Sequence, residues 1–188
     1  MADESSTREI RGRMGTLLAL RVKPEAHPDS RGTVRETYRA SWFPEVPPIK
    51  QLVQSNSRAG VLRGMHLHKK QWDVWRFASD RAWVRLYAHG TGEQAFVNAD
   101  KDVILAIPPG ISHGFYTVTG CILVYALTEE YDGTDEYGWF PFDGLTDQDA
   151  IARFAITDGG WPTAHYGLIV SERDLRAPRL SEFIDQNP

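Results

Sequence analysis

Apolar residues in this chain fall in short runs, and each run is soon stopped. Leu17–Val22, Thr33–Tyr38, Ile49–Gln54, Val74–Ala78, Ala82–Ala88, Val103–Ile107 and Ile122–Thr128 carry β-branched and aromatic residues. Between them stand HPDSRG, SNSRAG, HGTGE and PPGISHG, clusters rich in turn-forming residues. The pattern predicts an all-β protein. VILAI at 103–107 is continuously apolar and reads as a strand buried on both faces, whereas WVRLYAH does not alternate cleanly. In DQDAIARF the spacing of Ile151 and Phe154 predicts one or two helical turns, and LSEFIDQ near the C-terminus predicts a second short helix. Residues 1–15 are polar and lack periodicity, so they are expected to be a flexible N-terminal tail; 16–188 are expected to be one domain without repeat or linker.

Composition narrows the function classes. A formal net charge of -4 over 188 residues leaves no basic excess to meet a phosphate backbone or an anionic lipid surface. Nucleic acid and membrane are therefore not expected partners. No apolar run reaches the roughly 18 residues of a membrane span, and the N-terminus lacks a charged-then-apolar leader pattern, so a cytoplasmic location is expected. The single cysteine, Cys121, lies in the apolar run CILVYAL and is expected to be a buried thiol.

The stretch with chemistry in it is Gly60-Val61-Leu62-Arg63-Gly64-Met65-His66-Leu67-His68, followed after four residues by Asp73. Residues i and i+2 of a strand share a face, so both imidazoles are expected to project inward, with a carboxylate returning close by. Pro109-Gly110-Ile111-Ser112-His113 then puts a turn ahead of a third histidine. The order glycine, His-x-His, acid, Pro-Gly-x-x-His resembles the paired motifs of the cupin superfamily, which implies a jelly-roll β barrel with short peripheral helices and an internal site.

Further in-order motifs narrow the likeness: Asp29-Ser30-Arg31-Gly32 with Glu36, Gln51 with Ser55 and Ser57, Gly60 to His66, Pro109-Gly110-x-x-His113-Gly114-Phe115, Tyr125, Tyr131-Asp132, and Ser171-x-Arg173-Asp174 with Pro178. Together they resemble the dTDP-4-dehydrorhamnose 3,5-epimerase family. The resemblance implies a homodimeric enzyme that epimerises a dTDP-linked 4-keto-6-deoxy sugar at C3, C5 or both, without a cofactor. By position, His66 matches the base that removes a proton α to the ketone, Asp174 the carboxylate that orients it, and Tyr125 the phenol that returns a proton. Arg31, Glu36, Gln51, Ser55, Arg63, His113 and Tyr131 match positions that bind the sugar nucleotide or line its cleft.

One departure opens an alternative. Asp73 stands where the resemblance calls for a lysine that steadies the enolate oxygen, and His68 stands where it calls for a glutamine. Lys69 and Lys70, in the shortened loop, are then candidates to reach inward instead. The exchanges make His66, His68, Asp73 and His113 a three-histidine, one-carboxylate set suited to a divalent transition metal, as in a metal-dependent cupin isomerase or dioxygenase. A ligand imidazole has no free lone pair for base chemistry, so the two readings compete for His66. An inactive relative that only binds a sugar nucleotide is the third reading.

Overall fold

The computed structural model of the chain describes residues 7–144 and 167–186. Two antiparallel sheets pack face to face. The six-stranded sheet runs β1 (Arg8–Arg11), β2 (Leu17–Val22), β10 (Ile104–Ile107), β7 (Asp73–Phe77), β12 (Cys121–Leu127) and β5 (Gln51–Ser57). The five-stranded sheet runs β13 (Tyr137–Gly138), β6 (Leu62–Leu67), β11 (Ile111–Tyr116), β8 (Ala82–Ala88) and β9 (Gln94–Ala99). A separate hairpin joins β3 (Ala26–Asp29) to β4 (Gly32–Arg35). A 3-10 turn at Ala40–Trp42 and two short α-helices, α1 (Glu172–Leu175) and α2 (Leu180–Gln186), complete the described elements. The all-β jelly-roll class with peripheral helices is therefore what forms.

Three apolar layers hold it. Between the sheets lie Leu18, Trp75, Phe77, Val84, Leu86, Leu105, Phe115 and Leu123. On the far side of the six-stranded sheet, Leu20, Val22, Val74, Ile104 and Ala106 pack under Trp42 and Phe43. Outside the five-stranded sheet, Leu62, Met65 and Leu67 pack under Trp139, Leu180 and Phe183. β10 thus sends alternate residues into two different layers, which is why its sequence has no polar face. Burial of each large side chain in such a layer is worth roughly 1.5–3 kcal/mol.

Several expectations need correction or placing. Arg8–Arg11, assigned to the flexible tail, instead pairs with β2; it is an edge strand whose arginines face outward, so no apolar pattern marks it. LSEFIDQ is α2, whereas the helix expected around Ile151 and Phe154 lies outside the described residues. Cys121 is free and buried. Among the described residues no helix is long and apolar enough to cross a membrane.

Candidate active site

A cavity of about 830 Å³ opens between the sheets. Strand alternation supplies Gln51, Val53 and Ser55 from β5, Asp73 and Trp75 from β7, and Leu123, Tyr125 and Leu127 from β12. The facing sheet supplies Arg63 and His66 from β6 and His113 and Phe115 from β11. Arg63 and His66 are three apart and still share a side, because β6 bulges: His113 pairs with His66 but Phe115 pairs with Arg63. Gly64 sits in that bulge at φ +107°, where a Cβ would come within 2.7 Å of Gly114 Cα and the His113 carbonyl oxygen. Only glycine fits there.

His66 is held from behind by α1. Ile169 bridges to Val61, bringing the returning chain to β6, and the Ser171 hydroxyl caps the helix by accepting the Asp174 amide at 3.0 Å. This aims the Asp174 side chain inward: Oδ1 stands 3.1 Å from His66 Nε2, and Oδ2 accepts the Gly64 amide at 3.4 Å. Burial pushes the Asp174 carboxyl up, but the bond from His66 and the neighbouring positive charge outweigh it and hold the group below the usual carboxylate range. An ionised Asp174 accepts from Nε2–H, which leaves the Nδ1 lone pair of a neutral His66 available as a base.

Glu136 stands on the other side of the same ring. Its carboxylate is 3.7 Å from His66 Nδ1, 2.8 Å from Arg173 Nη2, and accepts the Tyr131 hydroxyl at 2.7 Å. The Tyr131 amide in turn donates to Gln51 Oε1 at 2.7 Å, tying this loop to β5. Glu136 too is pushed up by burial, yet Arg173 and Tyr131 bring it below its ordinary value.

A second cluster is more deeply buried. His68, Asp73 and His113 are 8%, 3% and 4% exposed, and one ligand-capable atom from each lies within 4.8 Å of the others. Asp73 Oδ1 accepts Gln71 Nε2 at 2.7 Å; Oδ2 accepts Trp75 Nε1 at 3.1 Å and lies 3.4 Å from His113 Nε2. Burial raises the Asp73 carboxyl, but hydrogen bonding and charge from His113 leave it below its ordinary value. The His68 pKa is pulled down by burial and then by the charge on His113.

The family model described as dTDP-4-dehydrorhamnose 3,5-epimerase matches residues 18–182. The chain belongs to this epimerase family. A dTDP-4-dehydrorhamnose 3,5-epimerase of Neisseria gonorrhoeae is 32% identical over 168 residues, covering 82% of this chain and 47% of that protein. The chain thus spans about half the length of that curated relative. Among solved structures, NovW, a 4-keto-6-deoxy sugar epimerase from the novobiocin cluster of Streptomyces spheroides, superposes with a TM-score of 0.76 at 23% identity, over 96% of this chain and 89% of its own. The Legionella pneumophila enzyme solved in complex with dTDP-4-keto-L-rhamnose has a TM-score of 0.73 at 22% identity, over 93% of each chain. At such identities the structural likeness speaks for the fold.

Most residues singled out by the epimerase-family motifs meet in the cavity: His66, Tyr125, Asp174, Gln51, Ser55, Arg63, His113 and Tyr131 all line it. Arg31 and Glu36 do not. Arg31 pairs with Asp29 on the hairpin and Glu36 pairs with Arg39, both on the exposed surface. The four-ligand metal set also fails to assemble: His66 is engaged by Asp174, and among the described residues only His68, Asp73 and His113 stand together. Lys69 and Lys70 do not line the cavity either; Lys69 lies over the Tyr137 ring, and both backbone amides are clamped by Asp135. Sequence reasoning passed over Glu136, which sits in the acid-rich segment EEYDGTDEY, where no spacing distinguishes it from its neighbours. Arg173 was visible only as a motif position.

Proposed function

We propose that this chain epimerises a dTDP-linked 4-keto-6-deoxy sugar at C3, C5 or both. The observation that carries the reading is the Asp174–His66 pair on one wall of the cavity with Tyr125 on the opposite sheet. His66 Nδ1 removes the proton α to the ketone, and the C–H electron pair becomes the enolate double bond with charge on the carbonyl oxygen. Asp174 and Glu136 stabilise the imidazolium so formed. Tyr125 returns a proton from the other face of the ring; burial first, then the Asp73 charge, raises its phenol, so it stays protonated and able to donate. Exchange with solvent restores both groups. Loss and return of a proton leave the oxidation state of the sugar unchanged, so the step consumes no redox cofactor.

Gln51, Ser55, Arg63, His113 and Tyr131 bind the sugar nucleotide in this reading. The Ser55 hydroxyl oxygen is buried and has no partner among the described residues, which supports its use by a ligand. The protein acts as a homodimer in the cytoplasm, with the N-terminal strands around residues 17–54 extending the partner's sheet. This would bring Arg31 and Glu36, which miss the cavity of their own chain, to that of a second copy.

The test is exchange of solvent deuterium into dTDP-4-keto-6-deoxyglucose. Exchange at C3 or C5 that disappears in His66→Ala, with nucleotide binding retained, is the expected result. Binding without any exchange in the unaltered protein would leave a sugar-nucleotide binder instead.

A further inference from the structure

We propose that His113, held as an imidazolium by Asp73, is the catalytic group that stabilises the enolate oxygen, an inference that rests on the epimerase reading above. Both ring nitrogens face acceptors. His113 Nδ1 lies 3.0 Å from the Ile111 carbonyl oxygen, and Nε2 lies 3.4 Å from Asp73 Oδ2. A carbonyl oxygen and an ionised carboxylate only accept, so each nitrogen carries a hydrogen. A ring with both hydrogens is a cation. Its hydrogen bond and charge help to hold the Asp73 carboxyl below its ordinary value against burial. His68, the other imidazole of the cluster, is discouraged from charging by burial and then by that same cation.

The strands supply the position. His113 on β11 is the direct cross-strand partner of His66 on β6, so their Cβ atoms stand roughly 4.5–5.5 Å apart. In an enolising unit the α carbon and the carbonyl oxygen are joined through a single carbon. A base at one and a hydrogen-bond donor at the other must therefore be close neighbours, as these two side chains are. Both line the same cavity, with Tyr125 on the opposite sheet. The His113 ring is almost wholly buried and meets the Trp75 ring edge to face, with centroids 5.0 Å apart. Little water competes there, which strengthens a charged hydrogen bond.

Asp73 is the counterion. Alone, a carboxylate at this place would repel an enolate. Its oxygens are already served by neutral donors, Gln71 Nε2 to Oδ1 at 2.7 Å and Trp75 Nε1 to Oδ2 at 3.1 Å. The longer contact from His113 can therefore turn to the substrate without leaving the carboxylate unpaired. As His66 Nδ1 takes the α proton and the electron pair moves toward the carbonyl oxygen, His113 Nε2–H donates to that oxygen. No proton leaves His113. When Tyr125 protonates the carbon, the electron pair returns from the oxygen and the Nε2 hydrogen bond goes back to Asp73. Asp73 thus acts through His113, as a positioning residue.

The experiment uses the full chain and joins nitrogen-15 NMR of the histidine rings to solvent-deuterium exchange into dTDP-4-keto-6-deoxyglucose. The His113 signals are those missing from His113→Gln. In the unaltered chain they should show a hydrogen on both ring nitrogens at neutral pH, and Asp73→Asn should remove one of them. His113→Gln should lower kcat for exchange by about 10²–10³-fold, the usual cost of losing an oxyanion donor, with KM and dTDP affinity little changed. Asp73→Asn should lower kcat nearly as far, because a neutral ring whose hydrogen goes to Ile111 has none left to give. A bare Nε2 on His113 in the unaltered chain would overturn the proposal, as would a His113→Gln variant whose KM rises while kcat stays unmoved. Exchange by an unaltered chain whose His113 is neutral would reject this donor and leave the epimerase reading standing. Absence of exchange in the unaltered chain would reject both.

Discussion

Asp174 reaches His66 across 108 residues of sequence, its carboxylate 3.1 Å from Nε2 and its backbone amide pinned by the Ser171 cap. The cap and the ion pair are one device: the hydrogen bond that starts α1 also sets the position of the carboxylate. Replacing Asp174 by Asn keeps a group of the same shape but removes the charge that steadies an imidazolium. Asp174→Asn should lower kcat for deuterium exchange by on the order of 10²-fold or more, with KM little changed. Steady-state kinetics beside a thermal melt checks this, and an unchanged kcat would show that Asp174 serves the helix alone.

The parts of this arrangement differ in how visible they were beforehand. β2 and β8 form over the residues their apolar runs marked, because burial alone decides them. β1 escaped notice because an edge strand facing water needs no apolar alternation. His66 and Asp174 could be named from motif order, but their contact depends on a bulge at Gly64 and on a helix that returns from far along the chain. Period-two reasoning placed His66 and His68 together and both do line the cavity, but their long-range partners differ, Asp174 for His66 and the Asp135 carbonyl oxygen for His68. Glu136 carries no local signal, since its meaning comes from Arg173, Tyr131 and His66 meeting it in space.

Glu136 supplies the next prediction. Tyr131 donates to it, and that bond followed by the Glu136 charge raises the phenol above its ordinary value. Glu136→Gln removes the charge, so the Tyr131 phenol should ionise at lower pH than in the unaltered protein. The phenolate absorbance that disappears in a Tyr131→Phe control isolates that group. With one of the two carboxylates beside His66 gone, kcat should also fall, by about tenfold, equivalent to ~1.4 kcal/mol. An unmoved phenol titration would mean that the Tyr131–Glu136 bond does not persist in solution.

His89 predicts an acid-sensitive fold. Trp139 Nε1 donates to the Ser112 hydroxyl oxygen at 2.9 Å, and His89 Nε2 shares a hydrogen bond with the same oxygen at 2.6 Å. Burial among Tyr87, Trp139 and Phe183 lowers its pKa to about 4. In the unfolded chain a histidine titrates near 6.5. The stabilisation is therefore fully present above about pH 6.5, declines as pH falls because the unfolded state takes up a proton first, and stops changing below about 4. The ceiling is roughly 3 kcal/mol, and partial exposure of the ring reduces it to about 1–2 kcal/mol. Urea unfolding at pH 7 and pH 4.5 should show a smaller loss in His89→Gln than in the unaltered chain. Equal losses would assign the acid sensitivity to other groups.

The last prediction concerns the open edge of the six-stranded sheet. β5 pairs with β12 on one side, and among the described residues no other strand joins it, which leaves its outer backbone groups to pair with another chain. Its side chains alternate between half-buried Gln51, Val53 and Ser55 at the cavity and exposed Leu52 and Gln54. Leu52, at 72% exposed, is an expensive residue to leave in water, as is Val34 at 66% on the β4 hairpin. In the proposed homodimer this edge and its leucine are covered, once in each copy, because a two-fold interface buries the same residue on both sides. Burying one leucine is worth about 1.5–3 kcal/mol, so Leu52→Lys should weaken dimerisation by at least about tenfold. Light scattering across a dilution series should show the unaltered chain holding a dimer at micromolar concentration while Leu52→Lys dissociates. Because Leu52 points away from the core, the variant's melting profile at dimer-dissociating dilution should match that of the unaltered chain. A compact monomer at micromolar concentration in the unaltered protein would reject the homodimer, and a Leu52→Lys dimer of undiminished affinity would move the interface away from β5.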